Sequence, residues 1–420
     1  MNFEANLLPK FKFITKLYNG GTTLSLAYAS SCARQIFKNG KSSRCFSTSE
    51  YNLVQQERIV DWNRAVSDAE KIVGYPTSYL TLRSLFSDEM SNLAVHLRKL
   101  VGTSHPLLKT AKKLVYNGKN NIQTRGLIIL LLSKAAGNIH EKVLEQDIPE
   151  GVSHNQRSLA EIIEMIHASQ LIHKGVVNLC PPVCSDETTL TDMTFGNKIA
   201  ILSGDYLLAN ACTGLAALNN SRVVELVSNA ISDLTEAEFI GKHDALDNSL
   251  PSSDITIEDW EQKRFLSAGS LLANSCQGAV LLAGHGEDKQ KVAFEFGKLL
   301  SFAWQVHSEL QPFLDPYSHP PGTPFDLTSA PVVLHFTKER QKKCGGESVK
   351  AIMDIVNSSA ESIENCDFEQ IYNLILKGSG VVEAKSLCSD YKDAALKTLK
   401  SIQPSEARTA LENIVNALAQ

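Results

Sequence analysis

Apolar residues recur at intervals of three and four along almost the whole chain after residue 50, and this constrains the fold more than any other feature. The pattern runs through 53–73, 78–100, 122–136, 158–173, 196–218, 221–240, 257–283, 288–310, 347–363, 367–377, 380–399 and 405–418. Such spacing lines up side chains on one face of an α-helix, whereas a strand needs alternation by two, and no alternating stretch is present. Punctuation agrees. Thr256 with Asp259 predicts a helix N-cap before Trp260, and Pro404-Ser405 breaks the chain and caps the run from Arg408. Loops are expected at 181–191, 244–254 and the proline-rich 312–331, and Gly345-Gly346 is expected to close a helix. With no repeat of 20–50 residues, a solenoid is excluded. The expected fold is all-α, a single large helical bundle.

The first 49 residues follow other rules. They hold seven Lys/Arg against one acid, Glu4, and are rich in Ser, Thr and Ala. Leu7, Phe11, Ile14 and Tyr18 repeat at helical spacing while Lys12 and Lys16 project elsewhere. A basic, amphipathic, acid-poor leader resembles a mitochondrial transit peptide, and Arg44-Cys45-Phe46 before Ser47-Thr48-Ser49 looks like a processing site. Residues 1–48 are therefore expected to direct import to the mitochondrial matrix, and 49–420 to form the helical domain. Without the leader, 34 basic and 45 acidic side chains remain, a net charge of −11. That disfavours nucleic acid as a partner, since phosphate binding needs basic stripes. The longest apolar run, Gly126–Leu132, is far too short to span a bilayer and reads as a buried core helix, so no transmembrane segment is expected. Nine scattered cysteines, two of them in the leader, do not form a disulfide framework.

Several segments carry a resemblance when taken together. They are 159–178 (LAEIIEMIHASQLIHKGVVN), Gly196-Asn197-Lys198 through Gly204-Asp205-Tyr206, Val224 through Phe239, Phe265 through Gln277, Phe296-Gly297-Lys298 through Val306, and Ser329-Ala330-Pro331-Val332. In order and spacing over roughly 60–420 they resemble the trans-isoprenyl diphosphate synthases, an all-α family of the isoprenoid-synthase type. Within it they are most similar to the non-catalytic subunits of heteromeric all-trans-polyprenyl diphosphate synthases that make the ubiquinone side chain.

The resemblance says what to look for. Catalytic members hold Mg²⁺ with two Asp-Asp-x-x-Asp motifs, and the metal neutralises the departing diphosphate as an allylic cation forms. Hard Mg²⁺ wants carboxylate oxygens in near-octahedral geometry, and Asp at i, i+1 and i+4 of one helix supplies them on neighbouring faces. Here the first motif reads Lys174, Gly175 and Asn178. The second reads Ser308-Glu309-Leu310-Gln311-Pro312, where one acid remains and Pro312 argues against further helix. The family's arginine pair is absent from 179–195. Its diphosphate-binding Lys-Thr pair falls at Ser267-Ala268, and its glycine-lysine-arginine element is blurred, with Lys119 and Arg125 kept but Gly126 in place of proline. No catalytic, cofactor-binding or metal-binding residue is therefore assigned to this chain, and Mg²⁺ is expected in a catalytic partner.

Other groupings have plainer readings. His167, His173, Cys180 and Cys184 offer four zinc-type donors, but two histidines six apart face different sides of a helix. Glu161 and Glu164 share a helix and are expected to be solvated or to form inter-helix salt bridges. Asp233, Glu236 and Glu238 are expected to be structural. Leu207–Leu218 reads as core, and the resemblance adds a subunit interface there. Two functions remain. One is a non-catalytic subunit of a heteromeric synthase. The other is an independent prenyl-lipid-binding protein, or a diverged terpenoid enzyme, with a prenyl chain in the old cavity.

Overall fold

The computed structural model describes residues 62–74, 124–137, 151–177, 179, 187–244, 248–317, 319–342, 346–359 and 362–418. The leader, the expected helix 78–100, Lys119, Asn178, Cys180 and Cys184 lie outside the described residues. Two helices are buried on all sides and fix the centre of the bundle, as uniformly apolar helices must be in a water-soluble arrangement. In α2 (Thr124–Ala136) every residue from Gly126 to Ser133 is buried, as the apolar run predicts. The other is α7 (Ser270–Leu282), whose Leu271, Leu272, Cys276, Ala279 and Val280 all lie in the main core.

Around α7 stand α2, α3 (His154–His173), α5 (Ser221–Glu236) and α8 (Glu287–Leu314). The long α4 (Glu187–Ala217) packs along α3, and α12 (Gly380–Leu399) packs along α8. An outer layer contains α9 (Ala330–Gln341), α10 (Glu347–Ser358) and α11 (Phe368–Lys377). The last helix, α13 (Glu406–Ala417), packs on α1 (Trp62–Val73) and α2. Trp62 of α1 meets Trp304 of α8 edge to face, with ring centroids 4.6 Å apart.

Sequence signals explain the starts of several helices. Ser153 begins α3 through a capping box with Gln156, and Thr256 begins α6 (Ile257–Arg264) through the same device with Asp259. Ser405 accepts the Arg408 N–H at 3.1 Å to cap α13. Close approach of α7 and α8 depends on Gly297, where a β-carbon would lie 2.8 Å from the Ala273 Cα and 2.9 Å from the Leu272 carbonyl oxygen.

The all-α reading holds, with local differences. A two-residue antiparallel ribbon, β1 (Lys242–His243) with β2 (Ser249–Leu250), lies in the stretch expected as loop. Helix α4 begins at Glu187, inside the expected loop 181–191. Pro312 does not stop α8, which runs on to Leu314; in the last turn a proline forfeits one hydrogen bond and little else follows it. Helix α9 was hidden behind the proline-rich stretch, although Ser329 as cap and Pro331 in the first turn are start signals. Gly346 precedes α10, in the left-handed conformation with φ 113°, rather than closing a helix.

The single expected helix 257–283 is α6 and α7 joined by a π-helical turn, Phe265–Gly269. Two helical stretches, Leu190–Ala217 and Ile257–Leu282, are long and apolar enough to cross a membrane even though no uninterrupted apolar run exists. Each gives a face to the bundle: Leu207, Ala211 and Leu215 in the first, Leu271, Leu272 and Cys276 in the second.

Replacing Gly297 by alanine is expected to destabilise the fold by about 2–3 kcal/mol, because the neighbours of its new methyl are backbone atoms that cannot rotate away. Urea unfolding of the full chain measures this, and an unchanged midpoint would show that α7 and α8 have room to separate.

Candidate functional site

The first motif position lies at the end of α3. The helix stops at His173, with Lys174 as its C-cap, and the Gly175 and Val176 N–H groups bond back to Ile172 and His173 carbonyls at 3.0 Å. Asn197 of α4 then ties the next peptide at both ends, accepting from the Val177 N–H and donating to the Val177 carbonyl, each at 2.7 Å. Positions 174 and 175 are therefore cap and turn, and not two faces of a continuing helix. The Lys174 Nζ lies 2.9 Å from the Glu238 carboxylate, in the turn Ala237–Phe239 that follows α5. Both side chains are about half exposed, so the pair adds little to stability. Its meaning is electrostatic. A unit charge at about 4 Å feels another by roughly 4 kcal/mol at an effective dielectric near 20. A divalent cation would meet an ammonium group where the family presents its first carboxylate.

The second motif has kept an acid and spent it elsewhere. Glu309 is buried in α8, and its carboxylate makes three hydrogen bonds and one ion pair. Arg264 Nε lies at 2.7 Å and Gln305 Nε2 at 2.9 Å on one oxygen; the Trp260 indole N–H at 2.9 Å and the Ala330 N–H at 2.7 Å share the other. The Ala330 amide opens α9, so the carboxylate sits at the positive end of that helix. Arg264 completes the cluster by reaching Asp326 at 2.6 Å, and Asp326 in turn accepts from the Thr328 N–H and hydroxyl. Burial raises the Glu309 carboxyl above its ordinary range, against the pull of Arg264. Burial also works to raise Asp326, but the Arg264 charge and hydrogen bonds outweigh it and hold that carboxyl low. With three hydrogen bonds and the Arg264 ion pair on its two oxygens, Glu309 is committed to internal contacts.

Ser308, beside it, faces a small cavity of about 90 Å³ shared with Thr124, Arg125, Ala268, Ser301 and Gln305. Segments that the resemblance assigned to separate phosphate contacts do converge here, but the donors have changed. Ser267 and Ala268 sit in the π-helical turn, where the Ser267 carbonyl accepts from Gln170 at 3.4 Å. Arg125 donates instead to the ring of His167 (Nη1 to Nε2, 2.9 Å). The residues present do not fit Mg²⁺: an ammonium and a turn glycine hold one described site, and a carboxylate paired with Arg264 and a serine the other.

The remaining groupings separate in the same way. His167 points inward to Arg125, whereas His173 lies 3.3 Å from Asp205 on α4 and fits over Gly204, where no side chain intervenes. The two histidines thus share no site. Asp233 accepts the Ser270 hydroxyl, and Glu238 pairs with Lys174, so both are structural. Neither reading fits Glu164, which is 2% exposed and accepts the Gly126 backbone N–H at 2.7 Å, an inter-helix hydrogen bond and not a salt bridge. Burial pushes its carboxyl up to about 7, with the Gly126 N–H and Arg125 acting the other way. Burial, followed by the charges of Arg125 and Lys174, drives His167 well below its usual range. Sequence reasoning named Glu238 and Asn197 without seeing their partners, and missed Arg264 as the counter-charge of Glu309.

Two outcomes are expected from these contacts. Glu309→Ala, which strands a buried guanidinium, an indole N–H and a helix terminus, should cost about 3–5 kcal/mol. Lys174→Ala should cost less than about 1 kcal/mol. Urea unfolding of the two variants checks the ranking, and equal losses would remove Glu309 from its central role. The second outcome concerns pH. A Glu164 raised in the fold contributes stability below its unfolded pKa that is lost as pH climbs through about 7. A depressed His167 does the reverse, contributing above its unfolded pKa and losing this as pH falls. Between about pH 4.5 and 6.5 the two slopes oppose each other. Glu164→Gln should uncover the histidine, giving a variant whose unfolding free energy rises relative to the parent by about 1.4 kcal/mol per pH unit. Parallel pH profiles for parent and variant would refute this.

Comparison with known proteins agrees with the architecture. A family model described as polyprenyl synthetase matches residues 105–319. All trans-polyprenyl-diphosphate synthase PDSS2 of Homo sapiens is 46% identical over 362 residues, which span 86% of this chain and 88% of the relative. Probable hexaprenyl pyrophosphate synthase, mitochondrial, of Yarrowia lipolytica is 28% identical over 409 residues, covering 84% and 88% of the two chains. Among solved structures, a polyprenyl synthase from Caulobacter crescentus complexed with calcium and isoprenyl diphosphate aligns with a TM-score of 0.61. It is 16% identical, over 87% of this chain and 99% of that one, which supports the fold alone. With a matching family model and a relative of 46% identity over most of its length, the chain belongs to the polyprenyl synthetase family.

Proposed function

We propose that this chain is a non-catalytic subunit of a heteromeric all-trans-polyprenyl diphosphate synthase that makes the ubiquinone side chain in the mitochondrial matrix. The observation that carries the reading is the replacement of both metal sites by internal contacts: Lys174 on Glu238, and Glu309 on Arg264, Trp260 and the start of α9. The catalytic partner would bring both aspartate-rich motifs and their Mg²⁺. The basic, acid-poor leader supports the address, as do fungal relatives named mitochondrial.

The face that would meet the partner is on α4. Leu207, Ala211 and Leu215 enter the core, yet Ile201 is 46% and Leu202 55% exposed, and Ala209, Cys212 and Ala216 are also open to solvent. An apolar helix with only one face covered is short of a neighbour. An obligate interface buries such a surface, and folding is then linked to assembly.

Expression of the chain alone is expected to yield no elongation of an allylic diphosphate, and co-expression with the catalytic synthase to yield long all-trans products. Turnover by the purified single chain would overturn the reading. Ile201→Glu with Leu202→Glu should lower complex recovery at least about tenfold, which one lost buried apolar contact already exceeds. Restoring Asp at 174, 175 and 178 should leave the single chain inactive, because the second site is still closed by Arg264.

A further inference from the structure

A second cavity, of about 310 Å³, lies between the β1–β2 ribbon and α6. Its walls are apolar at Ile240, Leu250, Ile255 and Trp260, with Lys242 and Lys263 supplying cations. It borders the Glu309 cluster, sharing Trp260 and Arg264 with it, and none of the degenerate positions lines it. The polar ends of its two shared residues, Trp260 and Arg264, turn away to Glu309. The volume falls in the range of small-molecule sites and equals about ten water-sized groups.

Two cations of its wall, Lys242 and Lys263, make no ion pair among the described residues. Arg264 is neutralised by Glu309 and Asp326, Asp259 is held in the Thr256 capping box, and Asp254 accepts the Ser252 hydroxyl. Lys263 is half-buried and makes no ion pair among the described residues; its Nζ donates only to the Ser249 hydroxyl at 3.0 Å. Burial lowers its affinity for a proton, so an anionic partner would restore what desolvation removes. Gly241, in the left-handed region at φ 100°, leaves that ammonium uncovered: even a β-carbon there would stand 3.8 Å from the Lys263 Nζ.

We propose that this cavity binds a small amphiphilic anion, with its acidic head on Lys263 and Lys242 and its apolar body against Trp260, Ile255, Leu250 and Ile240. The site does not depend on the subunit role and would exist in the chain alone or in a complex. The acidic head is a phosphate or a carboxylate; the probes below tell these apart.

Calorimetric titration of the full chain with octyl phosphate, octanoate, octanol and inorganic phosphate, all below micellar concentrations, tests the site. Octyl phosphate or octanoate is expected to bind at least about tenfold more tightly than octanol or inorganic phosphate, the scale of one charge-assisted hydrogen bond. Lys263→Met should weaken the better anion about tenfold, and Ile255→Trp, which fills the cavity without changing its charge, should abolish binding. Lys291→Met, on the exposed side of α8, should leave it unchanged, with unfolding midpoints confirming that each variant folds. Equal affinity for octanol, an unaffected Lys263→Met variant, or no heat with either anion would overturn the proposal.

Discussion

The carboxylate of Glu309 is the point through which α6, α8 and α9 are joined. It pairs with the Arg264 guanidinium and accepts hydrogen bonds from Trp260 on α6, from Gln305 on its own helix and from the first amide of α9. A buried charge is tolerable only when its partners are in place and all its lone pairs are used. Glu309 has a positive partner and three hydrogen bonds, and Asp326 extends the network by holding the other side of Arg264 and the turn that leads to α9. The arrangement also decides the chemistry. A carboxylate that tethers three helices cannot turn to face a metal ion without releasing them, so fold and catalysis compete for the same two oxygens.

The first motif shows a different way to lose a metal. There the backbone turns out of the helix, and Lys174 and Gly175 carry no carboxylate. Because α3 ends at His173 and Asn197 fixes the peptide of Val177, position 175 is a turn glycine with no neighbour on a shared helical face. Lys174 then supplies a positive charge of its own, balanced by Glu238. One position is engaged by Arg264 and three hydrogen bonds, and the other carries a positive charge at a helix end. A single reverting substitution would repair neither.

Much of this was legible in the sequence. The apolar periodicity located α2, α3, α5, α12 and α13 to within a few residues, because each carries its own cap or an unbroken apolar face. The degenerate positions Lys174, Gly175, Ser308 and Glu309 were visible by resemblance alone. What the sequence hid depends on contacts between distant segments. The four partners of Glu309 come from positions 260, 264, 305 and 330, and no spacing rule connects them. The π-helical turn at 265–269 keeps helical periodicity on both sides, so it reads as one uninterrupted helix. Pro312 misled in the opposite sense, since a proline penalty is small where only one turn remains. Helix α9 lost to the prolines before it, although its own start carried the right cap.

The surplus of apolar surface on α4 and the loss of both metal sites are best understood together. An enzyme that acts alone must keep its ligands, but need not keep an open apolar face once it folds. This chain shows the reverse: ligands given over to internal contacts, and Ile201 and Leu202 left in solvent on a helix whose other face is well packed. Exposed apolar area carries a standing cost in solubility unless something covers it. Under the proposed subunit role, the fold is organised around this surface and not the cavity. The helix beside the first motif follows the same logic, because Ser169 and His173 of α3 seat the Gly204 segment of α4 just beneath Ile201 and Leu202. Residues that in a catalytic relative would lead into a metal site here hold the outward-facing helix in place.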